Sequence, residues 1–273
     1  MNRGSLIFVM LLFSAFIGCS GRGRVLPAKP EYEIVPLKIV PLDNEVVDFC
    51  ADDTRLLLLD ISGTRVLAVD TGFSTVETIP ISIRVTSPRG IYADRYYIYV
   101  YNDRALFRMA KDKLILSALL NNVRIAGLAV YAPGELLVSD EERQTVWLKT
   151  IFGESRNFLD RSDLARPRDL TVFPGGIFGV ISGEGRLWQF NRAGIFISSL
   201  PIPPNMDLLG CDREGRAYTM QRGETVIWLV EDKKTMGYEL KGVVSPMRFV
   251  FIGEKMFVLD SGRRIAVYSV PSI

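Results

Sequence analysis

Residues 46–81 read VVDFCADDTRLLLLDISGTRVLAVDTGFSTVETIPI. Four short runs, Val46–Ala51, Leu56–Ile61, Arg65–Thr71 and Thr75–Ile81, are parted by Asp52-Asp53, Ser62-Gly63 and Gly72. No helical period runs through them. Short apolar runs bounded by Asp, Ser and Gly read as strands joined by tight turns. The same grammar returns at Arg168–Phe173, Ile177–Ser182, Arg186–Asn191 and Ile195–Ile202, divided by Pro174-Gly175-Gly176, Gly183–Gly185 and Gly194.

Between and beyond these two stretches the second run of each unit is a clear marker: Leu56–Leu59, Tyr97–Val100, Leu136–Val138, Ile177–Ile181, Ala217–Met220 and Met256–Leu259. Their closing residues, Asp60, Tyr101, Asp140, Ser182, Met220 and Asp260, are 41, 39, 42, 38 and 40 positions apart. Four strands in about 40 residues, six times over, predict an all-β, six-bladed β-propeller with four antiparallel strands per blade. The last unit has only three strands, Met247–Ile252, Lys255–Asp260 and Arg264–Val270. A three-stranded blade would leave an open edge. The unassigned stretch Glu33–Val40 is therefore expected to supply the fourth strand and close the ring, with Pro36 tolerated because it lies on an outer edge. The propeller then fills residues 31–273.

The units resemble NHL repeats and the wider superfamily of six-bladed propellers. Ser87-Pro88-Arg89-Gly90-Ile91, Arg166-Pro167-Arg168-Asp169-Leu170 and Ser245-Pro246-Met247-Arg248-Phe249 carry the start of the pattern. Asp60 with Thr64-Arg65-Val66, and Asp260 with Arg263-Arg264-Ile265, carry the later part. Blade 5 lacks both the Pro and the Asp. The resemblance speaks for the fold; propellers host unrelated activities.

The N-terminus, MNRGSLIFVMLLFSAFIGCS, has one charge, Arg3, and a twelve-residue run, Leu6–Ile17, apolar except for Ser14. That is too short for a membrane span of about 20 residues and has the form of a signal peptide, residues 1–18. Its end, Phe16-Ile17-Gly18-Cys19, resembles a bacterial lipobox, which implies cleavage before Cys19 and lipidation of that residue. Ser20 in the next position implies, by resemblance to the sorting of such lipoproteins, the outer membrane, facing the periplasm. Residues 19–30, rich in Gly, Pro and basic residues, read as a lipidated tether.

The composition narrows the chemistry. Of 273 residues, 33 are basic and 31 acidic, a net charge of +2, so no nucleic-acid footprint is expected. Histidine is absent, which removes His-based triads, Cys-His pairs and His-ligated metals. The three cysteines form no C-x-x-C pair, and there is no P-loop, nucleotide fingerprint or G-x-S-x-G elbow. Cofactors are expected to be none.

Inner strands of a propeller run along its axis and start at one face, so residues at those starts converge on one mouth of the channel. Arg89 and Arg168 occupy that register, with Arg124 and Arg248 within one residue of it. Converging guanidinium groups make a candidate anion site. Pairing with nearby carboxylates such as Asp94 or Asp169 is the competing role. Asp60, Asp140 and Asp260 are expected to cap turns, Trp147, Trp188 and Trp228 to pack between blades, and Cys50 and Cys211 to be small buried thiols rather than a disulfide. Tyr92, Tyr96, Tyr97, Tyr99 and Tyr101 are expected to divide between core and surface. The function expected is a non-catalytic binding or scaffolding module for a protein partner in the cell envelope or for a small anion. The alternative is a metal-dependent propeller hydrolase or lactonase with its site in the channel.

Overall fold

The computed structural model describes residues 29–271 apart from 113–115, 151–153, 160–163 and 233. Two short strands open it, β1 (Tyr32–Ile34) and β2 (Lys38–Pro41). Blade 1 is β3 (Val46–Asp52), β4 (Arg55–Asp60), β5 (Arg65–Asp70) and β6 (Val76–Pro80). Blade 2 is β7 (Gly90–Ala93), β8 (Tyr97–Tyr101), β9 (Ala105–Ala110) and β10 (Leu116–Asn121). Blade 3 is β11 (Ile125–Ala132), β12 (Glu135–Asp140), β13 (Thr145–Thr150) and β14 (Ser155–Leu159). Blade 4 is β15 (Pro167–Val172), β16 (Phe178–Ser182), β17 (Arg186–Phe190) and β18 (Phe196–Pro201). Blade 5 is β19 (Leu208–Cys211), β20 (Ala217–Met220), β21 (Val226–Val230) and β22 (Thr235–Leu240). Blade 6 contributes β23 (Pro246–Ile252), β24 (Lys255–Asp260) and β25 (Arg264–Ser269). Six sheets result, and the repeat read from the sequence is the fold.

Ring closure is by the N-terminal stretch, but not as one strand. β2 pairs antiparallel with β25 and completes blade 6, with Lys38 opposite Val267 and Pro41 opposite Arg264. β1 instead lies parallel to β22 as a fifth strand on blade 5, with Tyr32 opposite Tyr238. The expected single strand Glu33–Val40 is therefore corrected to two. Pro36, which has no N–H to donate, sits at the break where the chain crosses from one blade to the next.

Six hydrophobic clusters fill the spaces between neighbouring blades, one for each interface. Trp188 packs into the blade 3–4 cluster, Trp228 into the blade 4–5 cluster, and Trp147 against the blade 2–3 cluster. Each tryptophan thus leans on the preceding blade. Asp60 accepts from the Ser62 amide at 2.8 Å and Asp140 from the Glu142 and Arg143 amides at 3.1 Å, as turn caps. Asp260 differs: it accepts from Val244 and Ser245 and so ties the incoming loop to its own blade. All three also bind an arginine, Arg65, Arg143 and Arg264 respectively.

Candidate functional site

Inner strands β3, β7, β11, β15, β19 and β23 surround the channel, and their starts lie at one face. At this face a cavity of about 460 Å³ is lined by Arg89, Tyr101, Arg124, Glu141, Arg168, Asp207 and Arg222 among others. A second cavity of about 670 Å³, which shares Arg89 and Arg124, continues outward between blades 2 and 3 past Asp103, Arg104, Glu142 and Arg143. Three of the four arginines expected at the mouth are brought together there.

A recurrent backbone feature delivers them. Ser87, Asn122, Arg166 and Asn205 have φ of 48°, 59°, 51° and 63°. Each stands two residues before a mouth residue: Arg89, Arg124, Arg168 and Asp207. The left-handed conformation is uncommon for residues other than glycine, and its repetition in four blades marks one turn used four times. It swings the chain from the preceding outer strand onto the rim of the channel.

The mouth arginines are only partly neutralised. Arg89 pairs with Asp103, and both side chains are more than half exposed. Arg124 reaches Glu141 only at 3.8 Å. Arg168 donates to the Met206 carbonyl at 3.4 Å. Exposed pairs of this kind contribute little to stability. Of the carboxylates expected to compete, Asp169 does pair with one of the four arginines, Arg248, whereas Asp94 accepts from Tyr96, Tyr97, Tyr99 and Gly134 instead.

Arg248 does not join the mouth. It lies deeper in the channel with its side chain 11% exposed. Its guanidinium bonds Asp169 at 2.9 Å, donates to the Tyr92 hydroxyl, and has Asp48 Oδ1 3.8 Å from Nε. Asp48 also accepts from the Ile91 amide of blade 2, and Asp169 from the Leu209 amide of blade 5. Burial pushes both carboxyls above their ordinary pKa; the charge of Arg248 opposes that rise. Burial likewise raises the Tyr92 and Tyr101 hydroxyls. Two glycines make room for this layer. A Cβ on Gly127 would stand 2.6 Å from Asp169 Oδ1, and one on Gly90 would stand 2.2 Å from the Tyr101 ring.

Below the layer the channel opens again into a cavity of about 330 Å³, lined by Cys50, Tyr92, Val172, Cys211, Phe249 and Phe251 among others. Cys50 is buried and Cys211 half-buried, and both are free thiols. Burial raises the pKa of each, so neither is poised as a thiolate. The tyrosines of blade 2 divide as expected: Tyr99 is buried with its hydroxyl on Asp94, and Tyr96 is exposed.

Arg222 was not among the expected residues. It sits in the turn between β20 and β21, where its amide donates to Asp207 at 2.7 Å. Antiparallel pairing puts the end of each second strand beside the start of the first. Tyr101, Glu141 and Arg222 therefore all reach the mouth, each within two residues of a closing residue already marked in the sequence. Cys19, the signal peptide 1–18 and most of the tether lie outside the described residues. No helix among the described residues is long and apolar enough to cross a membrane.

No family model matches the chain. The E3 ubiquitin-protein ligase TRIM32 of Mus musculus is 30% identical over 160 residues, 52% of this chain and 24% of that protein. The chain thus spans about a quarter of the length of the curated relative it matches. Virginiamycin B lyase from Staphylococcus aureus superposes with a TM-score of 0.65 over 86% of this chain and 99% of its own, at 9% identity. A catalytically inactive form of that lyase, with one histidine changed to alanine and with quinupristin, gives 0.64 over 83% and 80%, at 11% identity. At these identities the structural likeness speaks for the fold alone. Sequence repeat and sheet topology agree on a six-bladed β-propeller, and the likeness to solved structures supports the propeller fold.

Proposed function

We propose that this chain is a non-catalytic binding module, anchored by lipid at Cys19 in the bacterial envelope, whose channel mouth takes an acidic segment of a protein partner. The observation that carries the reading is the charge of the two adjoining cavities. Setting aside Arg143, whose charge is taken by Asp140, five arginines, Arg89, Arg104, Arg124, Arg168 and Arg222, face four carboxylates, Asp103, Glu141, Glu142 and Asp207. The chain as a whole carries only +2, so this is a local concentration of positive charge. The outward groove between blades 2 and 3 suits an extended segment better than a compact anion.

Two observations favour binding over catalysis. The neighbouring lyase is inactive when one histidine becomes alanine, whereas this chain has no histidine at all. The two carboxylates inside the channel, Asp48 and Asp169, are turned to Arg248, and among the described residues no three His, Cys, Asp or Glu stand together as a metal site.

Calorimetry with a hexaglutamate peptide tests the proposal. Binding should weaken as salt rises, and Arg168→Ala and Arg222→Ala should each cost about tenfold, roughly 1.4 kcal/mol. Inorganic phosphate binding as tightly as the peptide would move the assignment to a small anion. A peptide that binds both variants like the parent would overturn the site.

A further inference from the structure

The outer rim of blades 5 and 6 carries a cluster of exposed apolar side chains. Val35 and Leu37 fall in the crossing from β1 to β2 and Ile39 in β2 itself; they are 72%, 63% and 40% exposed. Val244, 70% exposed, belongs to the loop that leaves blade 5. The two stretches touch: a Cβ on Gly242 would stand 3.0 Å from Pro36 Cγ and 3.1 Å from Ile39 Cδ1. The amide of Lys241 also donates to the Ile34 carbonyl at 2.9 Å. They therefore form one patch.

The place of this patch in the chain identifies what covers it. The crossing begins a few residues after the tether, and before the tether come the apolar run Leu6–Ile17 and Cys19. Eleven residues separate Cys19 from Glu31, at most about 40 Å when fully extended. A domain held at Cys19 must keep this rim close to the bilayer. Arg22, Arg24 and Lys29 in the same N-terminal stretch carry the charge that anionic headgroups attract. Four apolar side chains are too few to span a membrane and enough to enter its interfacial layer.

We infer that the rim formed by Val35, Leu37, Ile39 and Val244 is a lipid-contacting surface that seats the propeller edge-on against the membrane holding its N-terminus. The inference rests on the lipid-anchor reading. It also orients the molecule: the channel axis lies along the membrane and both mouths open sideways.

The test uses the full lipidated chain in vesicles of phosphatidylethanolamine and phosphatidylglycerol. An environment-sensitive fluorescent amino acid replaces Leu37 in one sample and Ile195, an exposed residue on blade 4, in another. Nitroxide lipids labelled near the headgroup should quench position 37 several-fold more than position 195. Equal quenching in protein that floats with the vesicles would overturn the lipid-contacting rim and leave the anchor standing. Failure of the parent chain to float would overturn both. In a parallel sample, a photocrosslinking amino acid at position 37 that captures a protein, or a second copy, in place of lipid would also overturn the rim.

Discussion

Arg248 holds two buried carboxylates on different blades, so removing it leaves both uncompensated. Arg248→Met should destabilise the protein by about 3–5 kcal/mol in chemical denaturation, the range for a broken buried pair. Asp48→Asn should cost much less, because an amide oxygen can still accept from Ile91 and one charge then balances one charge. The pH dependence has a definite sign. Burial raises the folded pKa of Asp48 and Asp169, so between the ordinary carboxylate value and the raised one the folded state holds more protons than the unfolded. Their contribution to stability grows as pH falls through that window and is lost as pH rises. Without Arg248 the rise is larger. The stability gap between Arg248→Met and the parent should narrow from pH 7 to pH 5; a gap that widens would refute the account. Asp60 behaves in the opposite sense. Burial would raise its carboxyl, but hydrogen bonds from Ser62 and Arg65 outweigh that and hold it below the ordinary value. Its contribution is lost as pH falls through the lowered pKa.

At the scale of elements, β1 and β2 do different work. β2 completes blade 6, whereas β1 adds a fifth strand to a blade that already has four. Deleting residues 37–42 should cost several kcal/mol of the roughly 5–15 typical of a domain and promote aggregation through the bared edge of β25. Deleting residues 29–35 should shift the thermal midpoint only slightly, since it removes three parallel pairs, the stacking of Tyr32 on Tyr238 and exposed ion pairs such as Glu31–Lys234. Equal losses from both truncations would contradict the topology. The repeat and its turns were legible in the sequence because strand runs and turn residues are local signals. The split at Pro36 was not, because which blade a strand joins is decided by pairing across the whole chain. Arg248 is misplaced for a different reason. Register shifts follow the first residue of the inner strand in blades 1, 3, 4 and 6, between Val46 and Asp48 and between Pro246 and Arg248 for example. Blade 4 shares the shift and still keeps Arg168 at the rim; Arg248 goes deeper because it stands one position later in the motif, where Met247 holds the register of Arg89 and Arg168, and successive side chains of a strand point to opposite sides.

For the whole molecule, the proposed lipid anchor is testable apart from the propeller. Cys19→Ala should release the protein from membranes into the soluble periplasmic fraction, or leave it uncleaved, with the propeller's thermal midpoint unchanged. A processed variant that stays membrane-bound as before would remove lipidation as the anchor. Ring closure has a further consequence, which is one of timing. β2 is among the first strands made and its partner β25 is the last. At roughly 5–20 residues per second of synthesis, the ring has no means of closing for tens of seconds. Through that interval blade 1 lacks the face of blade 6 that will cover Phe49, Leu56 and Leu58. A pause in synthesis anywhere between β2 and β25 lengthens that exposure by its own duration.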